Sequence, residues 1–233
     1  MKSYADRPLL ARRARFANVA SLSGMGILLG GVALPLWLPQ FTNISPYVIV
    51  GGFIVSNIGI YFANRWVKKP RPETLIDEAL KGRNNQYAVY HYLLPEDHVL
   101  ATPSGVVVLT ICALDGHFTY QDGKWKQRFS LSRALRFLVE ETLGDPIAEA
   151  QAGATKIHDL IAASIQDEVP VDSVVIFTSP QASYEVVEPP IPVIQPENIA
   201  KRLPQRPKLP AEVAERVRQV LDEASGVDKG GKE

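Results

Sequence analysis

Three groups of residues in this sequence are of types that could do chemistry. Asp97 and His98 put a carboxylate beside an imidazole at the head of an apolar run. An acid there could hold a metal ion or act as a base, and a histidine could move a proton. Lys124, Lys126, Arg128, Arg133 and Arg136 are interleaved with Trp125, Phe129 and Phe137, the mixture of cations and rings that contacts phosphates and stacks bases. Cys112 is the only cysteine, so it can form no internal disulfide and no cysteine-rich zinc site.

Each group has a plainer reading. A lone histidine on a strand is more often packed or hydrogen-bonded than catalytic, and His91, His117 and His158 show no metal-ligand spacing. The basic run fits solvated charges on a hairpin and the helix after it. No glycine-rich phosphate loop or nucleophile elbow is present in the sequence. Charge also speaks against a strong nucleic-acid binder. Six of the 25 Lys and Arg but one of the 25 Asp and Glu precede Trp66, so the remainder is net acidic, the reverse of what phosphate binding favours.

The elements that carry these residues follow a segment of a different kind. Residues 16–64 contain no Asp, Glu, Lys, Arg or His. As one helix these 49 residues would be about 74 Å long, against a hydrocarbon core of roughly 30 Å. Pro39 and Pro46 bracket polar turn-formers, which divides the run into two spans, residues 16–38 and 47–64. Lys2, Arg7, Arg12, Arg13 and Arg15 precede the first span, and Arg65, Lys68, Lys69 and Arg71 follow the second. The excess of cations on both flanks predicts a multi-pass cell-membrane protein with both termini in the cytoplasm. The apolar stretch is too long for the core of a cleaved signal peptide. Gly26-Ile27-Leu28-Leu29-Gly30, with Gly51, Gly52 and Ser56, would let two helix backbones approach closely.

After a linker over residues 66–71 the pattern becomes that of a soluble α/β domain. Pro72 and Glu73 open a short helix that Gly82 closes. Residues 87–94, 98–101 and 106–111 read as strands, with Val106 to Leu109 buried on both faces. Asp115-Gly116 and Asp122-Gly123 read as tight turns that set off two more strands around Phe118 and Trp125. A helix is expected from Ser130 or Ser132 to Leu143, and another from Pro146 to about Ile165. Strands follow at residues 174–177 and 184–187, then a proline-rich extended stretch with a short helix at residues 197–203. Residues 204–233 comprise a proline-containing linker, an amphipathic helix at 211–224 and a disordered tail from Val227.

The run from Glu96 through Asp97, His98 and Gly105 to Leu109, followed by Gly116 and Trp125, resembles the core of the NERD, or nuclease-related, domain. That family belongs to the PD-(D/E)xK, restriction-endonuclease-like group. Glu73 with Ile76 and Leu80 resembles the family's opening helix, and Pro146 with Gln151 its later Pro…Gln helix. The resemblance implies a mixed sheet flanked by helices over residues 72–203, preceded here by the transmembrane hairpin of residues 16–65 and a basic cytoplasmic segment of residues 1–15.

In active members of the group, carboxylates hold a Mg²⁺-type ion that activates water, and a strand supplies an acid and, two residues on, a lysine. Aligned without gaps between Gly105 and Gly116, the acid position falls at Thr110 and the lysine position at Cys112. A hydroxyl is a poor ligand for a hard dication, and a thiol cannot replace an ammonium. Of the family's set, Glu73 and Asp97 remain, which is half a site. Asp115 has the wrong parity to substitute for position 110. The resemblance thus implies a vestigial site at Glu73, Asp97, Thr110, Cys112 and Gln151, with no bound metal or other cofactor. The expected partners are the bilayer and an unidentified protein. Nucleic-acid contact through Lys124, Trp125, Lys126 and Arg128 is a weaker alternative, and a Mg²⁺-dependent nuclease with a rearranged site is the competing reading.

Overall fold

The structure is a computed structural model describing residues 1–127 and 143–227. These fall into two compact units: residues 7–71 form one, and residues 1–6, 72–127 and 143–227 form the other.

The α/β unit is built on two sheets. In the larger, β1 (Lys2–Ala5), β2 (Ala88–His91), β3 (His98–Thr102), β4 (Gly105–Cys112), β7 (Val171–Phe177) and β9 (Val193–Ile194) lie side by side in that order. β2, β3 and β4 are antiparallel neighbours, whereas β1 joins β2 and β7 joins both β4 and β9 in parallel. The smaller sheet has the order β6 (Lys124–Gln127), β5 (Gly116–Gln121), β8 (Ala182–Val186). Gly105 closes the β3–β4 turn at φ +140°, where a side chain would also strike the Pro170 carbonyl.

β4 is buried on both faces, as its unbroken Val-Val-Val-Leu run predicts. Val107 and Leu109 pack with Val89, Leu100, Val174 and Ile176 and with two helices, α3 (Pro72–Ala79), through Ile76, and α5 (Ile199–Arg202), through Ile199. Val106 and Val108 pack on the other face with Tyr90, Val99 and Ala101. There they meet Ile157 and Ile161 of α4 (Pro146–Ala162) and Val213, Val217 and Leu221 of α6 (Ala211–Ser225). Each such aliphatic side chain contributes about 1.5–3 kcal/mol by leaving water. Tyr90 anchors α6 further by donating its hydroxyl to the Asp222 carboxylate.

Two local expectations change. Residues 2–5, read as part of a basic flank, form edge strand β1. Asp122-Gly123 is a hairpin turn with both residues at positive φ, but Asp115-Gly116 is not. Residues 113–115 instead carry the chain from one sheet to the other, and β5 pairs in parallel with β8. The helix expected at 130–143 falls almost wholly, and the tail from 228 wholly, outside the described residues.

In the helical unit α1 (Arg7–Trp37) and α2 (Ser45–Trp66) are each long and apolar enough to cross a membrane. They pack through small residues: Ala17, Gly24 and Gly31 are buried on α1, and Gly52, Ser56 and Gly59 on α2. A Cβ at Gly24 would collide with Ser56, and one at Gly59 with Ser21. The Ser45 hydroxyl donates to the Gly31 carbonyl at 2.6 Å. Gly26, Gly30 and Gly51, expected in this seam, face open space instead. At 100° per residue, Gly26 and Gly30 fall off the stripe that Gly24 and Gly31 define.

Candidate functional site

The strand positions of the expected site are set by register. Val99 pairs with Val108 and Leu100 with Val107, and the paired positions end there, so Asp97 stands in the bend just before β3. Thr110 and Cys112 share parity with Val106 and Val108 and therefore lie on the face that α4 covers. Thr110 is half-buried; Cys112 is 6% exposed and packed with Phe118, Ile147, Ala150 and Phe177. In that setting the thiol acts as a small apolar side chain. Asp97 is exposed, and its carbonyl accepts the Tyr92 backbone N–H at 2.7 Å.

The helices divide the other two positions. Gln151 is an exposed residue of α4, next to the Ala150 that packs with Cys112. Glu73 lies in the first turn of α3, whose Ile76 packs into the opposite face of the sheet with Leu100 and Leu109. Thr110 and Cys112 thus face α4, the helix that carries Gln151, Asp97 stands in the bend before β3, and Glu73 rides on the helix of the other face. Asp115 lies beyond the end of β4, where its carboxylate accepts the Ser179 hydroxyl.

On β6 the burial alternates, which separates the residues proposed to act together. Lys124 and Lys126 are exposed, while the Trp125 ring turns inward, 5.2 Å from Tyr120 and 5.8 Å from Phe177. The indole is spent on the core and is not an open stacking platform. Arg128 lies outside the described residues.

Two polar clusters escaped the sequence reading. Beside Asp97, Glu96 receives Lys156 of α4 at 2.9 Å, and its carboxylate crowds Gly153, where a Cβ would come within 2.7 Å. The hydrogen bond to Glu96 raises the Lys156 pKa above the ordinary lysine value. Nothing in a 60-residue separation announces that pair. The second cluster is buried: His91 and His98 face one another in the β2–β3 ladder with Nδ1 atoms 2.8 Å apart. His91 Nε2 lies 3.3 Å from Asp77 on α3, and Asp77 accepts the Ser3 hydroxyl of β1 at 3.0 Å. A carboxylate only accepts, so in the neutral pair His91 carries its proton on Nε2 and His98 donates through Nδ1. Drawing the antiparallel register from the sequence would have brought these two histidines together.

A mixed sheet between helices, opened by a Glu-bearing helix and with its central hairpin strand crossing to a parallel neighbour, defines the class of domain. Residues 70–178 match the family model of the nuclease-related domain, NERD. No curated protein matches the chain, and no solved structure does.

Proposed function

We propose that this protein is a membrane-anchored nuclease-related domain that has lost nuclease chemistry and serves as a binding or scaffolding module at the cytoplasmic membrane surface. The observation that carries this reading is Cys112. Its thiol is packed among Phe118, Ile147 and Ala150, and on the gap-free alignment it stands at the family's lysine position, with the Thr110 hydroxyl two residues before it at that of the acid. These donors do not suit a hard dication, which prefers several carboxylate or carbonyl oxygens. Glu73 on the helix of the opposite face weighs the same way, and among the described residues no three His, Cys, Asp or Glu form a group that could hold an ion.

The anchoring half of the proposal rests on the helical unit and its connections. The chain leaves the α/β unit after Asp6, one residue past β1, and returns to it at Pro72. Both outer ends of the helix pair are therefore tied to one folded unit. That supports placing both termini on one side, and the basic flanks favour the cytoplasmic side.

One observation favours the competing reading. Lys156 and Glu96 bring an ammonium and a carboxylate beside Asp97, so a nuclease with a rearranged site would draw on these three, with Mg²⁺ as its metal. A cleavage assay separates the two. The purified protein with Mg²⁺ or Mn²⁺ should leave single- and double-stranded DNA intact, since each missing electrostatic group is worth about 100- to 1000-fold in rate. Metal-dependent cleavage that disappears in both Asp97→Asn and Lys156→Gln would replace the scaffold with the nuclease.

A further inference from the structure

A groove of about 330 Å³ on α2 is lined by Phe53, Ile54, Asn57, Ile58, Tyr61 and Phe62, the last of which also meets Phe16 of α1 edge-on, ring centroids 5.1 Å apart. It is distinct from the Gly52, Ser56 and Gly59 seam that packs against α1. Phe53, Ile54 and Ile58 are exposed, as lipid-facing side chains should be. Asn57 does not fit that pattern. It sits twelve residues after Ser45 and nine before Trp66, close to the middle of the helix, where hydrocarbon would be deepest.

The Asn57 Nδ2 donates to the Phe53 carbonyl at 2.7 Å, its one hydrogen bond among the described residues. A carboxamide has two N–H donors and an oxygen with two lone pairs, so one N–H and the oxygen are left over. Lipid tails can satisfy neither, and an unmatched polar group is expensive in hydrocarbon. The missing partner must supply both a donor and an acceptor at this depth. A second Asn57 does both. Two copies inserted with the same topology are related by an axis along the membrane normal, which carries each residue to its own depth in the other copy.

We propose that this groove is a docking surface for a second copy of the chain, with the two Asn57 carboxamides exchanging hydrogen bonds across a two-fold axis. The apolar side chains around them fill one another's grooves and exclude lipid. The inference rests on the membrane-spanning reading given above.

The test uses the full chain in membranes, first washed with alkaline carbonate. In a Cys112→Ser background, Ile54→Cys or Ile58→Cys should form an intermolecular disulfide between two copies on mild oxidation. Leu29→Cys, on the outer face of α1 beside Gly26 and Gly30, should not. Adding Asn57→Leu should weaken self-association, followed by dilution with lipid, about three- to tenfold. Crosslinking as strong at Leu29 as at Ile54, crosslinking to a different protein, indifference to Asn57→Leu, or a monomer at every lipid ratio would each overturn the proposal. Release of the chain by carbonate would overturn the membrane reading as well. Retention with a monomer would overturn the dimer alone.

Discussion

Between the ends of the helical unit, where Leu10 and Trp66 are buried, the buried positions belong to small residues such as Gly24, Gly31, Gly52, Ser56 and Gly59, and the surface to residues such as Phe16, Leu22, Leu29 and Phe53. In the α/β unit the same residue types change places: Leu100, Val107, Leu109 and Ile176 are inside, and lysines, glutamates and arginines are outside. The difference teaches what holds each together. Burying leucine stabilises only where the alternative is water. On the proposed membrane reading the helix pair lies in lipid, where that advantage vanishes, and close backbone approach with a hydrogen bond such as Ser45 to Gly31 takes its place.

The contrast is sharpest for leucine truncation. Leu100→Ala should cost about 2–5 kcal/mol, measured by denaturant unfolding of the α/β unit within the full chain in micelles. Leu22→Ala, 69% exposed, should leave stability unchanged in the same micelles. A large loss at Leu22 would mean that the helical unit buries apolar surface against protein and would break the comparison.

Enlarging glycines should give the converse. Gly59→Leu forces α2 off the Ser21 backbone and should cost about 1–3 kcal/mol, read as lost protease resistance of the helical unit. Gly26→Leu, which meets nothing within 4 Å, should be silent. Equal effects would place the seam on the wrong faces.

A further test concerns the α/β core alone. Burial, and then the Asp222 hydrogen bond, hold the Tyr90 hydroxyl protonated well beyond the ordinary tyrosine range. Its pKa is raised on folding, so the unfolded chain loses this proton first. The contribution to stability is intact below about pH 10 and is lost as pH rises above it. Thermal unfolding from pH 8 to 11.5 should show that decline, and Tyr90→Phe should flatten it. A wild-type slope unchanged by Tyr90→Phe would assign the decline to other groups.

The smallest effect is local. Asp145 caps α4 by accepting the Ile147 and Ala148 N–H groups at 3.2 and 3.1 Å. Asp145→Ala should cost about 1 kcal/mol by denaturant unfolding, and no change would deny the cap.

Sequence patterns revealed those elements that are determined by their own residues. The uncharged run betrays the helix pair, and unbroken β-branched residues betray β4. What stayed hidden depends on distant pairing. Lys2–Ala5 has no strand pattern, and it is a strand because β2, more than 80 positions away, offers it an edge. Asp115-Gly116 has the composition of a hairpin turn, yet Gly116 at φ +125° starts a strand whose parallel partner lies beyond residue 180. The candidate site was legible to the same degree. Thr110 and Cys112 follow from alignment and strand parity, but the side of the sheet on which Glu73 rides, and the arrival of Lys156 beside Glu96, need the packed helices.

The proposed anchoring places the α/β unit inside the cell and the turn between α1 and α2 outside. Cys112 is too buried to report on this, so it is replaced by serine and single cysteines are placed at Asn43, in the exposed turn, and at Lys124, on the exposed face of β6. A membrane-impermeant thiol reagent applied to intact cells should label Asn43→Cys and should reach Lys124→Cys only after the membrane is opened. Labelling of Lys124→Cys in intact cells, or of Asn43→Cys only after lysis, would contradict the account.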